Sequence, residues 1–178
     1  MINDIERVMR SEEELKEIIK RLGKEITEDY KDKNLLVVSV LKGSVMVMAD
    51  LLREIKIPCR IDFMSVSSYG SGTKTTGSVK IIKDLDIDLA GYDLLIVEDI
   101  LDSGVTLSSL KEILLTRDPA SVKICTLLDK PERRKADIKA DYIGAQVPDA
   151  FVVGYGLDYD EKYRNLPFVG ILSPKVYE

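Results

Sequence analysis

The sequence predicts an α/β fold in a single domain, with a largely parallel core sheet flanked by helices. Three runs of strand length, 35–41, 94–97 and 121–128, are rich in branched apolar residues, as expected for strands buried on both faces. Helical segments alternate with these runs along the chain, which is typical of β–α–β units with right-handed crossovers. The length of 178 residues suits one domain with a full hydrophobic core.

The N-terminal part predicts an amphipathic helix over about residues 12–30, which we interpret as scaffold. Ser11 and Glu14 have the spacing of a capping box, in which each side chain hydrogen-bonds the backbone amide of the other residue. Apolar residues then recur at helical spacing, at Leu15, Ile18, Ile19, Leu22 and Ile26.

A lysine and a glycine follow the first buried strand, which we predict over 35–41. Lys42 and Gly43, with Ser44, connect this strand to an apolar helix over about 45–54. These residues fit an ordinary turn. They also suit a phosphate group, because ligands of open α/β sheets bind at the carboxyl ends of the strands.

The stretch 67–78 predicts a mobile loop between two strands, at 61–66 and 79–82. It consists of Gly, Ser, Thr, Lys and Tyr, which cannot bury a core. The glycine spacing of a nucleotide P-loop occurs here, but the Lys and the Ser or Thr that must follow it are absent from the sequence, so we reject a P-loop. The composition alone also fits the tip of a flexible hairpin.

The most informative stretch is 94–107, in which a buried strand ends among acidic residues. Three carboxylates lie within five residues at that end: Glu98, Asp99 and Asp102. The next residues, which lead into a helix over about 106–115, are small or carry hydroxyls: Ser103, Gly104 and Thr106. Carboxylates bind a metal or sugar hydroxyls, and backbone N–H groups at a helix N-terminus bind a phosphate. The stretch therefore predicts a site for a phosphorylated ribose, and the alternative is an acidic turn capped by Ser or Thr.

Two segments after the third buried strand carry further candidate residues. Lys130 lies at the end of that strand, and we predict that most of the basic cluster at 130–135 forms a solvated face. Phe151 begins a short apolar run, which by itself also fits a core strand. Arg164 taken alone fits a surface residue, and 168–172 predicts a last strand.

The composition excludes several classes of function. The chain has no histidine, which excludes Ser-His and Cys-His catalysis and most zinc sites, so acid–base chemistry falls to Asp, Glu, Lys or Tyr. A formal net charge of −5 argues against nucleic acid as a partner. Cys59 and Cys125 lie in apolar segments without metal-ligand spacing, which indicates reduced core residues in a cytoplasmic protein. A charged N-terminus and the lack of a long apolar run predict neither a signal peptide nor a membrane span.

Residues 94–106 resemble the phosphoribosyl-pyrophosphate-binding motif of type I phosphoribosyltransferases. That motif has four apolar residues, two acids, two apolar residues, a variable position, a small residue, Gly, a variable position and Thr. Every fixed element is present here, and Val105 occupies the second variable position. The resemblance extends over about residues 35–170. It implies the fold of that family, with a core over about 35–145, a small hood from the N-terminal segment and about 146–178, and a flexible lid over 67–78.

The resemblance implies a role for each candidate residue. Ribose and 5′-phosphate would be bound by Glu98, Asp99, Asp102, Ser103, Gly104, Val105 and Thr106, with Asp102 as the catalytic general base. Pyrophosphate would be bound by Lys42, Gly43 and Arg164, and the peptide bond before the matching lysine is often cis in the family. The purine site would consist of Lys130, Phe151, Val152 and Asp158. Mg²⁺, the implied cofactor, would be held by Glu98, Asp99 and Asp158, and the lid would exclude water with Ser68 and Tyr69.

The segments around Lys130 and at 148–159 resemble most closely the bacterial hypoxanthine-guanine branch of the family, which acts in purine salvage. This implies Mg²⁺-dependent transfer of the 5-phosphoribosyl group from phosphoribosyl pyrophosphate to hypoxanthine, and to guanine, giving IMP or GMP and pyrophosphate. It also implies a homodimer or homotetramer. Alternatives that stay open are a xanthine-preferring enzyme, a sister enzyme for adenine or orotate, and an RNA-binding regulator with the same fold. The presence of Asp102 and the negative net charge argue against the regulator.

Overall fold

The computed structural model describes residues 1–68 and 79–177. Within them the chain forms three α-helices: α1 (Glu12–Asp29), α2 (Val45–Glu54) and α3 (Val105–Leu115). It also forms nine strands: β1 (Ile5–Arg10), β2 (Leu35–Val40), β3 (Arg60–Ser68), β4 (Val79–Lys83), β5 (Asp93–Leu101), β6 (Ser121–Asp129), β7 (Tyr142–Gln146), β8 (Val152–Val153) and β9 (Val169–Leu172). Short 3₁₀ turns occur at Ile2–Asp4, Pro131–Arg133 and Pro174–Val176. None of the helices in these two stretches is long and apolar enough to cross a membrane.

Six strands form the central sheet, in the order β4-β3-β2-β5-β6-β7. All neighbours pair in parallel except β3 and β4, which pair antiparallel with Ser68 opposite Val79. Strand β5 lies inside the sheet, where Ile96 is opposite Val38 of β2 and Ile124 of β6. This largely parallel sheet, with helices packed on it, confirms the predicted fold class.

Different helices cover the two faces of the sheet. Side chains alternate along β5, so that Leu94 and Ile96 pack in one buried cluster with α3, whereas Leu95 and Val97 pack in another with α1 and α2. All four side chains are completely buried. Burial on both faces explains why the sequence of this strand shows no alternation of polar and apolar residues.

A second, antiparallel sheet joins the two ends of the described chain, in the order β1-β9-β8. It has a small core of its own, formed by Val153, Tyr163, Leu166 and Leu172. The Tyr163 hydroxyl donates a hydrogen bond to Asp4 at 3.0 Å, which ties the N-terminal segment to the segment between β8 and β9. That segment therefore belongs to the smaller sheet and not to the central one.

Two strands lie outside the predicted elements. Half of the six residues of β1 are exposed, so the strand lacks a buried stripe and forms through its pairing with β9. Strand β7 contains Gly144 and Gln146, which weaken the sequence signal for a strand, and it is stabilised by its pairing with β6. Both strands depend on partners that are distant in sequence, and local patterns therefore do not indicate them.

Strand β5 is longer than its apolar run. The sequence predicts its end before Glu98, whereas the strand continues to Leu101. The reason is backbone pairing, because Glu98 and Ile100 lie opposite Thr126 and Leu128 of β6. Glu98 and Asp99 therefore belong to the strand, and of the three acids only Asp102 lies in the loop.

Helix α1 begins with the predicted capping box, in which Glu14 N donates to Ser11 Oγ at 3.2 Å and Ser11 N donates to Glu14 Oε2 at 2.7 Å. We expect Ser11→Ala to lower the free energy of unfolding by about 1 kcal/mol, because a terminal amide of the helix loses its acceptor. Urea denaturation measures this change. Ser173→Ala is the control, since Ser173 is also an N-cap in the described chain but makes no side-chain capping bond. Equal losses in both variants would contradict the prediction.

Candidate active site

The predicted site residues meet at the carboxyl edge of the central sheet. The loops after β2, β5 and β6 leave the sheet at this edge and carry Lys42, Asp102 and Lys130. The segment 150–158, which contains β8, lies against them, because Lys130 Nζ donates to the Ala150 carbonyl oxygen at 2.8 Å. Ligands of open α/β sheets generally bind in this position.

The loop between β5 and α3 forms a small pocket at a helix N-terminus. Gly104 has a φ of +75°, in the left-handed region that favours glycine, and α3 begins at the next residue, Val105. The first amides of a helix have no acceptor within the helix and carry a partial positive charge. A pocket of about 180 Å³ lies at this end and is lined in part by Glu98, Asp102, Ser103, Gly104 and Thr106. Its size and its donors suit one phosphate group.

Arg134 supports this loop, although the sequence predicts a solvated face for its cluster. Its guanidinium donates to the carbonyl oxygens of Leu101, Asp102 and Ile138 at 3.3, 3.0 and 2.6 Å, and also to the Asp129 carboxylate. Only 17% of the Arg134 side chain is exposed, so it is the exception in a cluster that we predict to be mostly solvated and in which Arg133 and Lys135 are exposed. The planar guanidinium serves several acceptors at once. In the sequence, Arg134 is one of several basic residues close to acids. This pattern does not distinguish it from its exposed neighbours.

Glu98 and Asp99 are neighbours near the end of β5, and both resist ionisation. Burial raises the pKa of Glu98 well above its usual range, and the charge of Asp99 adds to this effect. Burial also raises the pKa of Asp99 to about 6, while the Ile100 amide, which donates to Asp99 Oδ1 at 2.7 Å, opposes the rise. A cation would offset both the burial and the mutual repulsion of these carboxylates.

Two glycines allow three segments to meet at Asp99. A side chain at Gly43 would overlap Asp99 Oδ2, and a side chain at Gly156, which has a φ of +100°, would overlap the Gly43 carbonyl oxygen. The loop after β2 and the turn at 154–157 therefore pack backbone against backbone beside this carboxylate. The Leu41–Lys42 peptide bond in the same loop is cis, as the resemblance implied.

Lys42 and Arg164 place their charges close together from distant parts of the chain. Lys42 Nζ lies 3.2 Å from Glu161 Oε1, and Arg164 Nη2 lies 3.3 Å from Glu161 Oε2. Arg164 is further held by the Gly156 carbonyl oxygen at 2.8 Å and by Asp158 Oδ1 at 3.1 Å. The two cations predicted to bind pyrophosphate are thus within reach of one carboxylate.

A second pocket, of about 360 Å³, opens on the other side of Asp102. Its walls include all four residues predicted for a purine site: Lys130, Phe151, Val152 and Asp158. Phe151 is 40% exposed, so part of its ring surface is available for stacking. Lys130 is buried, and its bond to the Ala150 carbonyl oxygen fixes its ammonium group at the pocket. The pocket therefore combines an aromatic surface with a fixed hydrogen-bond donor.

Two residues of this pocket are not predicted from the sequence. The Tyr177 ring stacks on Phe151 with 5.1 Å between the centroids, and Arg133 Nε lies 3.4 Å from Asp102 Oδ1. That oxygen is buried and has no hydrogen-bond partner among the described residues. Only the path of the C-terminal segment brings Tyr177 to this place, so no local pattern could have identified it.

The predicted metal ligands form no complete cage. Asp158 Oδ1 lies 3.1 Å from Arg164 Nη2, and the charge of Asp158 adds to the raised pKa of Asp99. Residues 1–68 and 79–177 contain no group of three His, Cys, Asp or Glu side chains that could hold a metal ion by themselves. This is compatible with Mg²⁺, which keeps several waters and binds one or two carboxylates together with substrate phosphates.

The predicted lid is only partly described. Ser68 is the last residue of β3 and is exposed at the carboxyl edge of the sheet. Tyr69 and the rest of the predicted lid up to residue 78 lie outside the described residues.

Comparison with known proteins gives consistent matches along the whole chain. A family model of the phosphoribosyl transferase domain matches residues 10–160. The hypoxanthine-guanine phosphoribosyltransferase of Bacillus subtilis is 58% identical over 178 residues, covering 100% of this chain and 99% of the relative. The enzyme of the same name from Staphylococcus epidermidis is 55% identical over 177 residues, covering 99% of each chain.

Solved structures agree with these matches. A hypoxanthine phosphoribosyltransferase from Staphylococcus aureus has a TM-score of 0.98 at 54% identity, with 100% of this chain and 97% of that chain covered. A mutant hypoxanthine phosphoribosyltransferase from Trypanosoma cruzi, in a ternary complex with substrates, has a TM-score of 0.95 at 42% identity, with 99% and 100% covered.

The raised pKa of Asp99 predicts a pH-dependent cost for the metal-free protein. A carboxyl group whose pKa is higher in the folded state stabilises the fold below its unfolded pKa of about 4 and loses that contribution as the pH rises through about 6. With EDTA present, the wild type should therefore lose up to about 3 kcal/mol of unfolding free energy relative to Asp99→Asn between these pH values. Urea denaturation of both proteins from about pH 4 to about pH 8 measures the difference. A difference that stays constant with pH would contradict the assignment.

Proposed function

Because this chain belongs to the phosphoribosyltransferase family, and to its hypoxanthine-guanine branch, we propose that it transfers the 5-phosphoribosyl group of phosphoribosyl pyrophosphate to hypoxanthine and guanine, giving IMP or GMP and pyrophosphate. The observation that carries this proposal is the position of Asp102, which lines both the phosphate pocket and the aromatic pocket. A ribose phosphate in the first pocket and a planar base in the second would meet beside its carboxylate.

The loop after β5 binds the ribose 5′-phosphate. Its phosphate oxygens accept hydrogen bonds from the backbone amides of residues 103–106 and from the hydroxyls of Ser103 and Thr106. The left-handed Gly104 and the carbonyl contacts of Arg134 hold this loop in shape. Glu98 and Asp99, at the end of the strand, bind the ribose hydroxyls, so the sugar is oriented by the same segment that binds its phosphate.

The aromatic pocket binds the base. Phe151 stacks on the purine ring, and the backbone of Val152 reads its edge. The ammonium group of Lys130 donates to the exocyclic oxygen that hypoxanthine and guanine share. Xanthine also carries this oxygen, so the ranking of the three bases depends on the shape of the pocket and not on Lys130 alone.

The pyrophosphate group lies over the loop after β2. Lys42, the backbone of Gly43 and Arg164 supply the positive charge and the donors, and the fork of arginine suits phosphate oxygens. Glu98, Asp99 and Asp158 would hold Mg²⁺, directly or through water. The metal ion, when bound, neutralises charge on pyrophosphate and makes it a better leaving group. Because two of these carboxylates resist ionisation without a cation, we expect metal and pyrophosphate to bind together.

Asp102 acts as the general base. Its carboxylate takes a proton from one nitrogen of the imidazole ring of the purine while the neighbouring nitrogen forms a bond to the anomeric carbon. The bond from that carbon to the pyrophosphate oxygen breaks in the same step, through an oxocarbenium-like transition state. Asp102 Oδ1 makes no hydrogen bond with the described residues, and its one close cation, Arg133 Nε at 3.4 Å, lines the same pocket, so the carboxylate faces the place where the base would lie.

A spectrophotometric transfer assay tests the function. Phosphoribosyl pyrophosphate and Mg²⁺ are supplied with hypoxanthine, guanine, xanthine or adenine in separate reactions. We expect turnover of hypoxanthine and guanine, and its loss on addition of EDTA. Preferential turnover of xanthine or adenine would reassign the substrate. No turnover of any base, with phosphoribosyl pyrophosphate still bound, would contradict the enzyme function. The implied homodimer or homotetramer stays a prediction, which sedimentation of the same sample would test.

Asp102→Asn should lower the transfer rate by about 10²-fold or more, because the amide cannot accept the proton. Binding of IMP should be retained, since the shape of both pockets is preserved. Asp137→Asn is the control, because Asp137 is an exposed carboxylate next to Ala136, whose amide donates to the Ser103 carbonyl oxygen of the same loop. Steady-state rates and IMP titrations of the two variants separate catalysis from binding. An unchanged rate in Asp102→Asn would exclude Asp102 as the base.

A further inference from the structure

Glu161 contacts both cations of the predicted pyrophosphate site, and the proposed reaction assigns it no role. Its two carboxylate oxygens contact two different cations, Lys42 Nζ at 3.2 Å and Arg164 Nη2 at 3.3 Å. These are the side chains that would bind pyrophosphate. A carboxylate of the chain therefore contacts the donors that the proposed substrate would use.

The balance of charge makes this contact significant. Lys42 and Arg164 are accompanied by the carboxylates of Asp99, Asp158 and Glu161. Asp99 and Asp158 are assigned to the metal ion, which would neutralise them. Glu161 has no such partner and would stay as a negative charge beside a polyanionic ligand.

The local structure holds the backbone of Glu161 and leaves its side chain accessible. Glu161 N donates to Asp158 Oδ2 at 2.9 Å, and two backbone hydrogen bonds between Tyr159 and Lys162 close the turn. The side chain itself is 63% exposed, and so is most of Lys42. Exposed ion pairs contribute little to stability, so the contact with Lys42 can break at small cost, whereas Arg164, which is 24% exposed, keeps its bonds to the Gly156 carbonyl oxygen and to Asp158 when Glu161 moves away.

We propose that Glu161 is an internal counter-ion of the pyrophosphate site, which pyrophosphate displaces from Lys42 and Arg164 when it binds. The inference rests on the proposed function and adds an affinity-determining residue to it. Glu161 keeps the two cations close together before the substrate arrives, and it lowers the affinity for pyrophosphate because it competes for the same donors. Release of the product is favoured for the same reason.

The test compares Glu161→Gln with Asp160→Asn. Both substitutions remove one negative charge from the same turn and keep the size of the side chain, but Asp160 pairs with Lys162 and not with the pyrophosphate cations. Pyrophosphate is titrated into each protein by calorimetry in the presence of MgCl₂. We expect Glu161→Gln to bind pyrophosphate about three- to tenfold more tightly than the wild type, and Asp160→Asn to differ by less than about twofold. The gain should shrink as NaCl rises from about 0.05 M to about 0.5 M, because salt screens exposed charges.

Two outcomes would overturn the inference. Weaker binding by Glu161→Gln would mean that the carboxylate positions the cations instead of competing for them, and equal effects of both variants would reduce Glu161 to a general surface charge. The transfer assay on the same wild-type sample separates these failures from a failure of the proposed function. If the wild type transfers phosphoribosyl groups and the two variants bind pyrophosphate equally, the proposed function is supported and only the role of Glu161 is contradicted. If none of the three proteins binds pyrophosphate, the proposed function and the role of Glu161 are both contradicted.

Discussion

Hydrogen bonding of β5 to β2 on one side and to β6 on the other is the constraint on which the site depends. Parallel pairing aligns the carboxyl ends of these strands, so the loops that carry Lys42, Asp102 and Lys130 start from one edge. Slippage by one residue would exchange the side chains packed on α3 with those packed on α1 and α2, and burial on both faces makes this costly. The packing of the core therefore fixes the positions of the loops that carry the site residues.

The acid-rich end of the sheet determines how the protein can bind a polyanion. The proposed phosphate site does not require a broad basic surface, because backbone amides at the start of α3 would supply most of the donors. Arg134 contributes from behind the loop through carbonyl oxygens. At the other phosphate position, Lys42 and Arg164 are matched by nearby carboxylates. In the proposed reaction, affinity at this position would depend on a metal ion and on the displacement of Glu161, and the competing carboxylate would favour release of pyrophosphate after each turnover.

The elements with strong local patterns were predictable from the sequence. The capping box of Ser11 and Glu14, the helix over 45–54 and the buried apolar runs are encoded by neighbouring residues. The loop between β5 and α3 was equally predictable, because its acids, small residues and hydroxyls are close together in the sequence. Local patterns missed structure where a partner distant in sequence decided the outcome. Pairing with β6 keeps Glu98 and Asp99 in the strand, and pairing with β9 forms β1.

The sequence by itself determined the fold class and the chemical groups that the site offers, because apolar periodicity and consecutive motifs are local properties of the chain. Only the tertiary structure decided which groups face one another. It turned Arg134 from a predicted surface residue into the support of the loop, and it brought Tyr177 onto Phe151. It also placed Glu161 between Lys42 and Arg164. Such contacts join segments far apart in the chain, and close packing of the sheets and loops selects them.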